Sequence, residues 1–163
     1  MGRRPFFIFI APVVFILDRL SKIVIQKNFS EGQGLAVFPG IFHLTRVNNS
    51  GAAFGALKDA GNFLIVVSAL SVVVITVYLC RELFGGRRAG QGSQDPAFSH
   101  YAWAFVAAGA AGNLYDRLRF GYVIDFLDFR VWPVFNIADT SICLGVFFVL
   151  LSFLWRRKTE GTR

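Results

Sequence analysis

Four apolar runs separated by polar segments dominate the hydrophobic pattern of this chain. Each is long enough to cross a hydrocarbon core of about 30 Å, which requires roughly 20 helical residues. The second run is the most continuous (FLIVVSALSVVVITVYL), whereas the third is short and rich in Ala and Gly (YAWAFVAAGAAGNLYDRL), a composition that lets helices pack closely in lipid. The pattern predicts transmembrane helices at about residues 6–25, 62–83, 101–118 and 136–155.

The segment between the first two runs, residues 26–60, has a different pattern. Its stretch IFHLTRV at 41–47 is typical of a short strand, and the NNSG that follows indicates a turn. Several Phe residues in this segment predict that it lies against the membrane surface. We therefore expect an all-α membrane protein with a small β-containing segment between helices 1 and 2.

The composition favours lipid as the solvent of this chain. Of its 163 residues, 55% are hydrophobic and only 17% are charged, which is more apolar surface than a small soluble domain can bury. We expect one integral-membrane domain over residues 1–163. The first run contains charged residues and is followed by no small-residue cleavage motif, so we expect a retained helix and not a cleavable targeting peptide.

The distribution of Lys and Arg predicts the orientation in the membrane. Residues 1–5, 84–100 and 156–163 hold eight of them in 30 positions, whereas residues 26–60 and 119–135 hold five in 52. By the positive-inside rule the first set is cytoplasmic, so both termini face the cytoplasm. The net charge of +7 does not indicate nucleic-acid binding, because the basic residues lie in short clusters at the ends of apolar runs.

Seven of the ten acidic residues fall outside the membrane or in its outer half under this topology. At the rise of an α-helix, Asp18 lies about 10 Å, Asp116 about 3 Å and Asp139 about 5 Å from the outer ends of their helices. An ionisable group at the centre of a span costs at least ~2.5–3.5 kcal/mol, so such groups tend to be paired, inward-facing and functional. The outer end is therefore the predicted site of function.

Some of these acids have basic neighbours and suit a structural role. Asp18 and Lys22 are four positions apart on helix 1, which predicts an ion pair on one helical face. Asn113, Asp116 and Arg117 share a face of helix 3, where the neighbouring Arg117 would keep the carboxylate ionised. A scaffold whose acids only pair with bases is one alternative to a catalytic function.

Asp125 and Asp139 have no basic residue within four positions. Two carboxylates close together in a partly dry site share a proton, because both cannot be charged at low cost. An aspartyl protease uses that state: one carboxylate takes a proton from the attacking water and the other protonates the carbonyl oxygen. Asp128 is an alternative to Asp125, since the two would share a face if the segment were helical.

Four motifs resemble the lipoprotein signal peptidase family and span most of the chain. They are DRLSK at 18–22, NSGAAFG at 49–55, AGAAGNLYDRLRFGYVIDF at 108–126 and FNIAD at 135–139. Each motif alone is weak, but all four in order within a four-span chain are specific. One departure is Ala108, where the family more often has Gly.

The resemblance implies that Asp125 and Asp139 are the catalytic pair, in preference to Asp128. It also implies a bacterial inner-membrane enzyme, active at the extracytoplasmic face, that cuts prolipoproteins before a cysteine carrying diacylglycerol. No metal or cofactor is implied, globomycin is the expected inhibitor, and we expect a monomer in contact with membrane lipid. The implied supporting residues, near the pair or the substrate, are Asp18, Lys22, Asn49, Gly51, Asn113, Asp116, Arg117 and Asn136.

Other functions fit the sequence less well. A proton-coupled transporter would also use membrane carboxylates, but it would need them through the full membrane depth. A metalloprotease or a serine hydrolase would show HExxH or GxSxG, and the sequence contains neither motif. Cys80 and Cys143 lie in different apolar runs without a CxxC spacing, and we expect them to be packing residues.

Overall fold

The computed structural model describes residues 6–51, 61–84 and 99–160. Within these ranges the chain is mostly helical, and a helix lies at each of the four predicted positions. After one turn of 3-10 helix at Phe6–Phe9, the helices are α1 (Ile10–Asn28), α2 (Gly61–Phe84), α3 (Ser99–Phe120) and α4 (Ile137–Glu160). The strands are β1 (Gly34–Phe38), β2 (Phe42–Asn49) and β3 (Val123–Asp128).

Two of these helices are clear candidates for membrane spans. Among the described residues, Asn62–Phe84 and Ile137–Leu154 are long and apolar enough to cross a membrane by length and composition. Helices α1 and α3 carry four and three acidic or basic residues, more than the two in Asn62–Phe84 and the one in Ile137–Leu154. Most of the predicted cytoplasmic loop (85–98) and the end of the predicted outer segment (52–60) lie outside the described residues, as do residues 1–5 and 161–163.

Helix α3 is the centre of the bundle and packs against α1, α2 and α4. Its buried face consists largely of Ala and Gly, which confirms the predicted use of small residues for close packing. A Cβ added at Gly109 would lie 2.2 Å from the carbonyl oxygen of Ala138, at the start of α4. The absence of a side chain at Gly109 therefore lets the beginning of α4 lie directly against α3.

The outward faces of the helices carry large hydrophobic side chains. Leu20 on α1, Val74 on α2 and Phe147 on α4 are 56%, 64% and 58% exposed. Such continuous apolar exposure is typical of a protein whose surroundings are lipid. Cys80 and Cys143 are free and exposed on these faces, so the prediction that they are packing residues is wrong: the outer surface of a membrane helix is apolar as well as its core.

The three strands form one antiparallel sheet in the order β1-β2-β3. Strand β2 confirms the strand predicted at 41–47, but it continues to Asn49. The sheet is not confined to the segment between helices 1 and 2, because β3 comes from the connection between α3 and α4. The register places Val47 opposite Asp125, so Asn49, two positions further along β2, lies on the same face of the sheet as Asp125.

The ends of α1 and α3 direct the chain into this sheet. Gly121 adopts a left-handed conformation (φ 81°) and its N–H donates to the carbonyl of Arg117 at 2.9 Å, which ends α3 two residues before β3. At the end of α1, the guanidinium of Arg46 on β2 donates to the carbonyl of Phe29 at 3.0 Å. The sheet is thus attached to the same end of the bundle at which α1 and α3 terminate and α4 begins.

Candidate active site

Asp125 lies in the middle of β3 and is only 2% exposed. Its chain neighbours Ile124 and Phe126 are buried in the apolar cluster beneath the sheet. Oδ2 of Asp125 accepts a hydrogen bond from the side-chain amide of Asn49 at 2.9 Å, and Oδ1 accepts one from the amide of Asn136 at 2.7 Å. Both carboxylate oxygens are therefore held by uncharged donors.

Asp139 lies in the first turn of α4 and is half-buried. The N–H of Asp139 donates to Oδ1 of Asn136 at 2.9 Å, while Oδ2 of Asp139 accepts from the N–H of Asn136 at 3.2 Å. This reciprocal arrangement is a capping box, in which two residues three positions apart satisfy the free N–H groups of a helix start. The sequence FNIAD thus fixes the position of Asp139 through local helix geometry.

Asn136 connects the two carboxylates. Its side-chain amide donates to Asp125 and its backbone N–H to Asp139, so both acids lie around one residue. Asn113 on α3 completes the group, because its amide donates to Oδ1 of Asp139 at 2.7 Å and its carbonyl oxygen accepts from Asn136 at 3.2 Å. The structure therefore brings together Asn113 of α3, Asp125 of β3, Asp139 of α4 and Asn136, which immediately precedes α4; that Asp125 and Asp139 are the catalytic pair stays a prediction.

The surroundings of Asp125 change its acidity. Burial, and in second place the negative charge of Asp139, raise the pKa of Asp125 from 3.8 to about 7. Hydrogen bonds from Asn49 and Asn136 oppose this increase but do not cancel it. Near neutral pH Asp125 is therefore able to hold or release a proton beside a second carboxylate.

Asp18 and Lys22 form the predicted ion pair, deep inside the bundle. Nζ of Lys22 is 2.9 Å from Oδ2 of Asp18, and both side chains are fully buried. The same ammonium lies 2.8 Å from Oδ2 of Asp116 and donates to Oδ1 of Asn113 at 3.1 Å. Oδ1 of Asp18 accepts from the N–H of Ala138 at 3.1 Å, so this acid also satisfies a free N–H at the start of α4.

Asp116 differs from its prediction in its partner. From the sequence we expected the adjacent Arg117 to keep the Asp116 carboxylate ionised. In the described part of the chain, the ion pairs of Asp116 are instead with Arg19 and Lys22 of α1. Adjacent helical residues point about 100° apart, and the buried direction of Asp116 faces α1. Sequence reasoning missed Arg19, although it lies three positions before Lys22 and therefore near the same helical face.

Two hydrogen bonds above the carboxylates connect Arg117, Gly51 and Asn49. The N–H of Gly51 donates to Oδ1 of Asn49 at 3.0 Å, and Nη2 of Arg117 donates to the carbonyl of Gly51 at 3.4 Å. This arrangement orients the Asn49 amide toward Asp125 and holds the end of β2 near α3. The remainder of the predicted NSGAAFG motif, from residue 52 onward, lies outside the described residues.

Asp128 does not share a face with Asp125. The segment is a strand and not a helix, so side chains three positions apart point to opposite faces of the sheet. Burial opposes ionisation of Asp128, but hydrogen bonds from Arg130 and from Oγ1 of Thr45 outweigh it and lower the pKa of this acid. Its geometry is that of a carboxylate that stabilises the turn after β3.

Ser21 and Lys22, which are adjacent on α1, do not form a serine–lysine catalytic pair. The hydroxyl of Ser21 donates to the backbone carbonyl of Asp18 at 2.8 Å, while the ammonium of Lys22 is surrounded by Asp18, Asp116 and Asn113. Because a lysine ammonium has three hydrogens to donate, these partners occupy it. Neither side chain is placed to activate the other.

Comparison with known proteins gives consistent matches over nearly the whole chain. The family model described as signal peptidase (SPase) II matches residues 10–155. A lipoprotein signal peptidase from Moorella thermoacetica is 40% identical over 95% of this chain and 97% of its own, and one from Halothermothrix orenii is 35% identical over 91% and 94%. A solved structure described as a bacterial membrane enzyme superposes with a TM-score of 0.80 at 28% identity, over 96% of this chain and 91% of that chain.

These matches do not support the proton-coupled transporter considered from the sequence, and they agree with the resemblance carried by the four motifs. Because the family model covers most of the chain and the relatives exceed 30% identity over most of its length, the chain belongs to the signal peptidase II family.

Proposed function

We propose that this protein is an aspartic endopeptidase that removes signal peptides from diacylglyceryl-modified prolipoproteins, cutting before the lipidated cysteine. The observation that carries the proposal is the placement of Asp125 and Asp139 around Asn136 with amide donors in place of counter-ions. Family membership supports the peptide-bond chemistry and the class of substrate. Supporting positions are Asn49, Gly51, Asn113, Arg117 and Asn136 around the pair, with Asp18, Lys22 and Asp116 behind them.

The proposed reaction needs one proton on the pair of carboxylates. The ionised carboxylate takes a proton from water as the water oxygen attacks the scissile carbonyl carbon, and the protonated one gives its proton to the carbonyl oxygen. The tetrahedral intermediate then breaks its C–N bond, and the amine of the lipidated cysteine takes, as it leaves, the proton that the first carboxylate accepted from water. A pKa of about 7 for Asp125 supports a singly protonated pair near neutral pH.

The proposed topology has four spans, both termini in the cytoplasm and the catalytic pair at the extracytoplasmic face of the bacterial inner membrane. The positive-inside count supports this orientation. Under it, the sheet, the ends of α1 and α3 and the start of α4 are at the outer end, with Asp125 and Asp139 among them. We propose one peptidase domain over residues 1–163, which acts as a monomer without a metal or cofactor.

The segment after α1 is the proposed contact with lipid and substrate. The β1–β2 hairpin exposes large apolar side chains at Leu35, Phe38 and Ile41, on a sheet whose third strand carries Asp125. An apolar rim beside the acids suits a substrate held in the membrane by acyl chains. If residues 26–60 clamp the substrate, shortening the hairpin between β1 and β2 lowers precursor cleavage; unchanged cleavage would contradict that role.

The function is tested with purified protein and two forms of one precursor. A gel-shift assay would follow the diacylated precursor and the same precursor without lipid, each with and without globomycin. We expect cleavage of the diacylated form alone, with the new N-terminus at the lipidated cysteine, and inhibition by globomycin. Equal cleavage of the unmodified precursor, or a cut elsewhere, would refute the proposed substrate and position of cleavage.

A further inference from the structure

The two carboxylates of the candidate site have different surroundings. Asp139 is half-buried and accepts from a backbone N–H at the start of a long helix, as well as from the Asn113 amide. Asp125 is buried in a strand between apolar neighbours and accepts from the side-chain amides of Asn49 and Asn136. This asymmetry bears on which acid carries the proton that the proposed reaction requires.

We infer that Asp139 is the carboxylate that activates water, that Asp125 is the acid that protonates the carbonyl oxygen, and that Asn136 is the positioning residue that maintains this division. The inference rests on the proposed function, because it assigns roles within the same pair. It goes further in giving each acid one role and in assigning the control of those roles to a third residue.

The orientation of the Asn136 amide is determined by its neighbours. Oδ1 of Asn136 accepts from the N–H of Asp139, so its NH₂ group faces Oδ1 of Asp125 at 2.7 Å. The Asn113 amide is fixed in the same way: the ammonium of Lys22 is a donor only, so Asn113 presents its oxygen to Lys22 and its NH₂ group to Asp139. Exchanging N and O in either amide would place two donors or two acceptors against each other.

These fixed donors favour negative charge on Asp139. The N-terminus of α4 carries the positive end of the helix dipole, and Asp139 accepts from an N–H there. The Lys22 ammonium polarises Asn113, which strengthens the hydrogen bond that Asn113 donates to Asp139. Asp125 lacks a helix terminus and is shielded from water, which favours its neutral form.

Other charged groups face the pair from two further elements of the described chain. Helix α1 contributes Asp18 and Lys22, and α3 contributes Asp116 and Arg117. The carboxylates of this group are paired with bases from α1, so they add little net negative charge beside Asp139. Asp139 and Asp125 consequently form the pair whose proton is exchanged.

The assigned roles account for every proton that moves in the proposed reaction. Asp139 removes a proton from water while the water oxygen bonds to the carbonyl carbon, and the carbonyl oxygen takes the proton of Asp125. When the C–N bond breaks, the leaving nitrogen takes the proton held by Asp139, and a hydroxyl of the intermediate returns a proton to Asp125. The products are a carboxylic acid and an amine, and both aspartates recover their starting states.

The test replaces Asn136 while keeping its function as a helix cap. In Asn136→Ser the hydroxyl still caps α4, because Ser is as good an N-cap as Asn, but the amide donor to Asp125 is lost. We expect kcat/KM to fall about 10- to 100-fold and the thermal unfolding midpoint to fall moderately, because the buried Asn136 amide also donates to Asn113. The alkaline limb of the pH profile should move to higher pH, because ionised Asp125 loses a hydrogen-bond donor.

Thr140→Ala is the matched control. It removes the hydrogen bond from Oγ1 of Thr140 to the carbonyl of Asn136, at 3.0 Å, in the same helical turn, and this hydroxyl donates to neither carboxylate. Its pH profile should equal that of the unmodified protein. An alkaline limb that stays in place in Asn136→Ser, or that moves equally in Thr140→Ala, overturns the role of Asn136.

Infrared spectroscopy tests the roles assigned to Asp125 and Asp139 independently of the Asn136→Ser variant. The unmodified protein should show a carboxylic acid C=O band that titrates near pH 7, and Asp125→Asn should remove it. A band that persists in Asp125→Asn but disappears in Asp139→Asn overturns the assignment and leaves the proposed function intact. Retained activity in Asp125→Asn would instead refute the proposed function, so the two failures are distinguishable.

Discussion

Nζ of Lys22 lies 2.8 Å from Oδ2 of Asp116, and both side chains are fully buried. This ion pair joins α1 to α3, and the same ammonium also pairs with Asp18. Within the described chain, neither Asp125 nor Asp139 forms an ion pair of this kind. Asp18 and Asp116 therefore form a paired group that joins helices, whereas Asp125 and Asp139 form a pair held by amides.

The paired group predicts a large loss of stability in Lys22→Met. Removing one ammonium leaves Asp18 and Asp116 buried without this counter-ion, and breaking a buried ion pair from one side costs about 3–5 kcal/mol. We expect a clear decrease in the free energy of unfolding, measured by thermal or denaturant unfolding in detergent. Lys27→Met on the same helix is the control, because Lys27 is exposed; its change should stay within ~0.5 kcal/mol. Equal losses in both variants would contradict the structural role of Lys22.

The amide-held pair predicts loss of catalysis without loss of fold. We expect Asp125→Asn and Asp139→Asn each to lower cleavage of diacylated precursor by at least about 10²- to 10⁴-fold, because each removes a group to which we assign proton transfer in the proposed reaction. Membrane insertion and the thermal unfolding midpoint should be retained. Asp128→Asn is the matched control, since Asp128 lies on the opposite face of β3, and it should keep its activity. Activity in either single variant of the pair would remove the assignment.

The acidity of Asp125 predicts the pH dependence of activity. Burial and the charge of Asp139 place the pKa of Asp125 at about 7, so the proton that the proposed reaction needs is lost as the pH rises through that value. We expect kcat/KM to fall above about pH 7 with the slope of a single ionisation. The measurement is a pH profile on purified protein, with unfolding followed over the same range to exclude denaturation. A profile that is flat from about pH 6 to 9 would contradict this role of Asp125.

The raised pKa of Asp125 also predicts how the stability of the fold depends on pH. Because the folded-state pKa of about 7 exceeds the ordinary value of 3.8, the folded protein holds a proton on Asp125 that the unfolded chain releases. This contribution to stability is fully present below about pH 4 and is lost as the pH rises to about 7. In Asp125→Asn the unfolding midpoint should therefore decline less between these pH values than in the unmodified protein. An identical decline in both proteins would show that Asp125 is not the group responsible.

Much of the fold was predictable because its signals are local. The four helices follow from long apolar runs, and the pair of Asp18 and Lys22 follows from a spacing of four positions on one helix. Strand β3 was not predicted, because six residues of mixed pattern carry too little periodicity to distinguish a strand from a helix. That ambiguity is also why Asp128 remained an alternative to Asp125.

Contacts between distant parts of the chain could not be predicted from local sequence patterns. Arg19 and Asp116 are 97 positions apart, and no local spacing indicates their ion pair. The bridge from Asn136 to Asp125 depends on the register of β3 against β2 and on the angle at which α4 starts, neither of which is visible in a motif. The resemblance named these residues together, but the hydrogen bonds that join them required coordinates.

The close approach of α3 and α4 predicts an unusual result for Gly109→Ala. In most helix interiors this change stabilises by about 0.5–1 kcal/mol, because Ala is the better helix former. Here the added Cβ would lie 2.2 Å from the carbonyl oxygen of Ala138, which belongs to the backbone and cannot rotate away. Relief of that clash requires α4 to move outward, and overpacking of this kind costs about 1–3 kcal/mol. We therefore expect a lower thermal unfolding midpoint, and also lower activity, since Asp139 is attached to the same helical turn as Ala138. A higher midpoint would mean that helix propensity dominates at this position and that the two helices are not packed as closely as the structure describes.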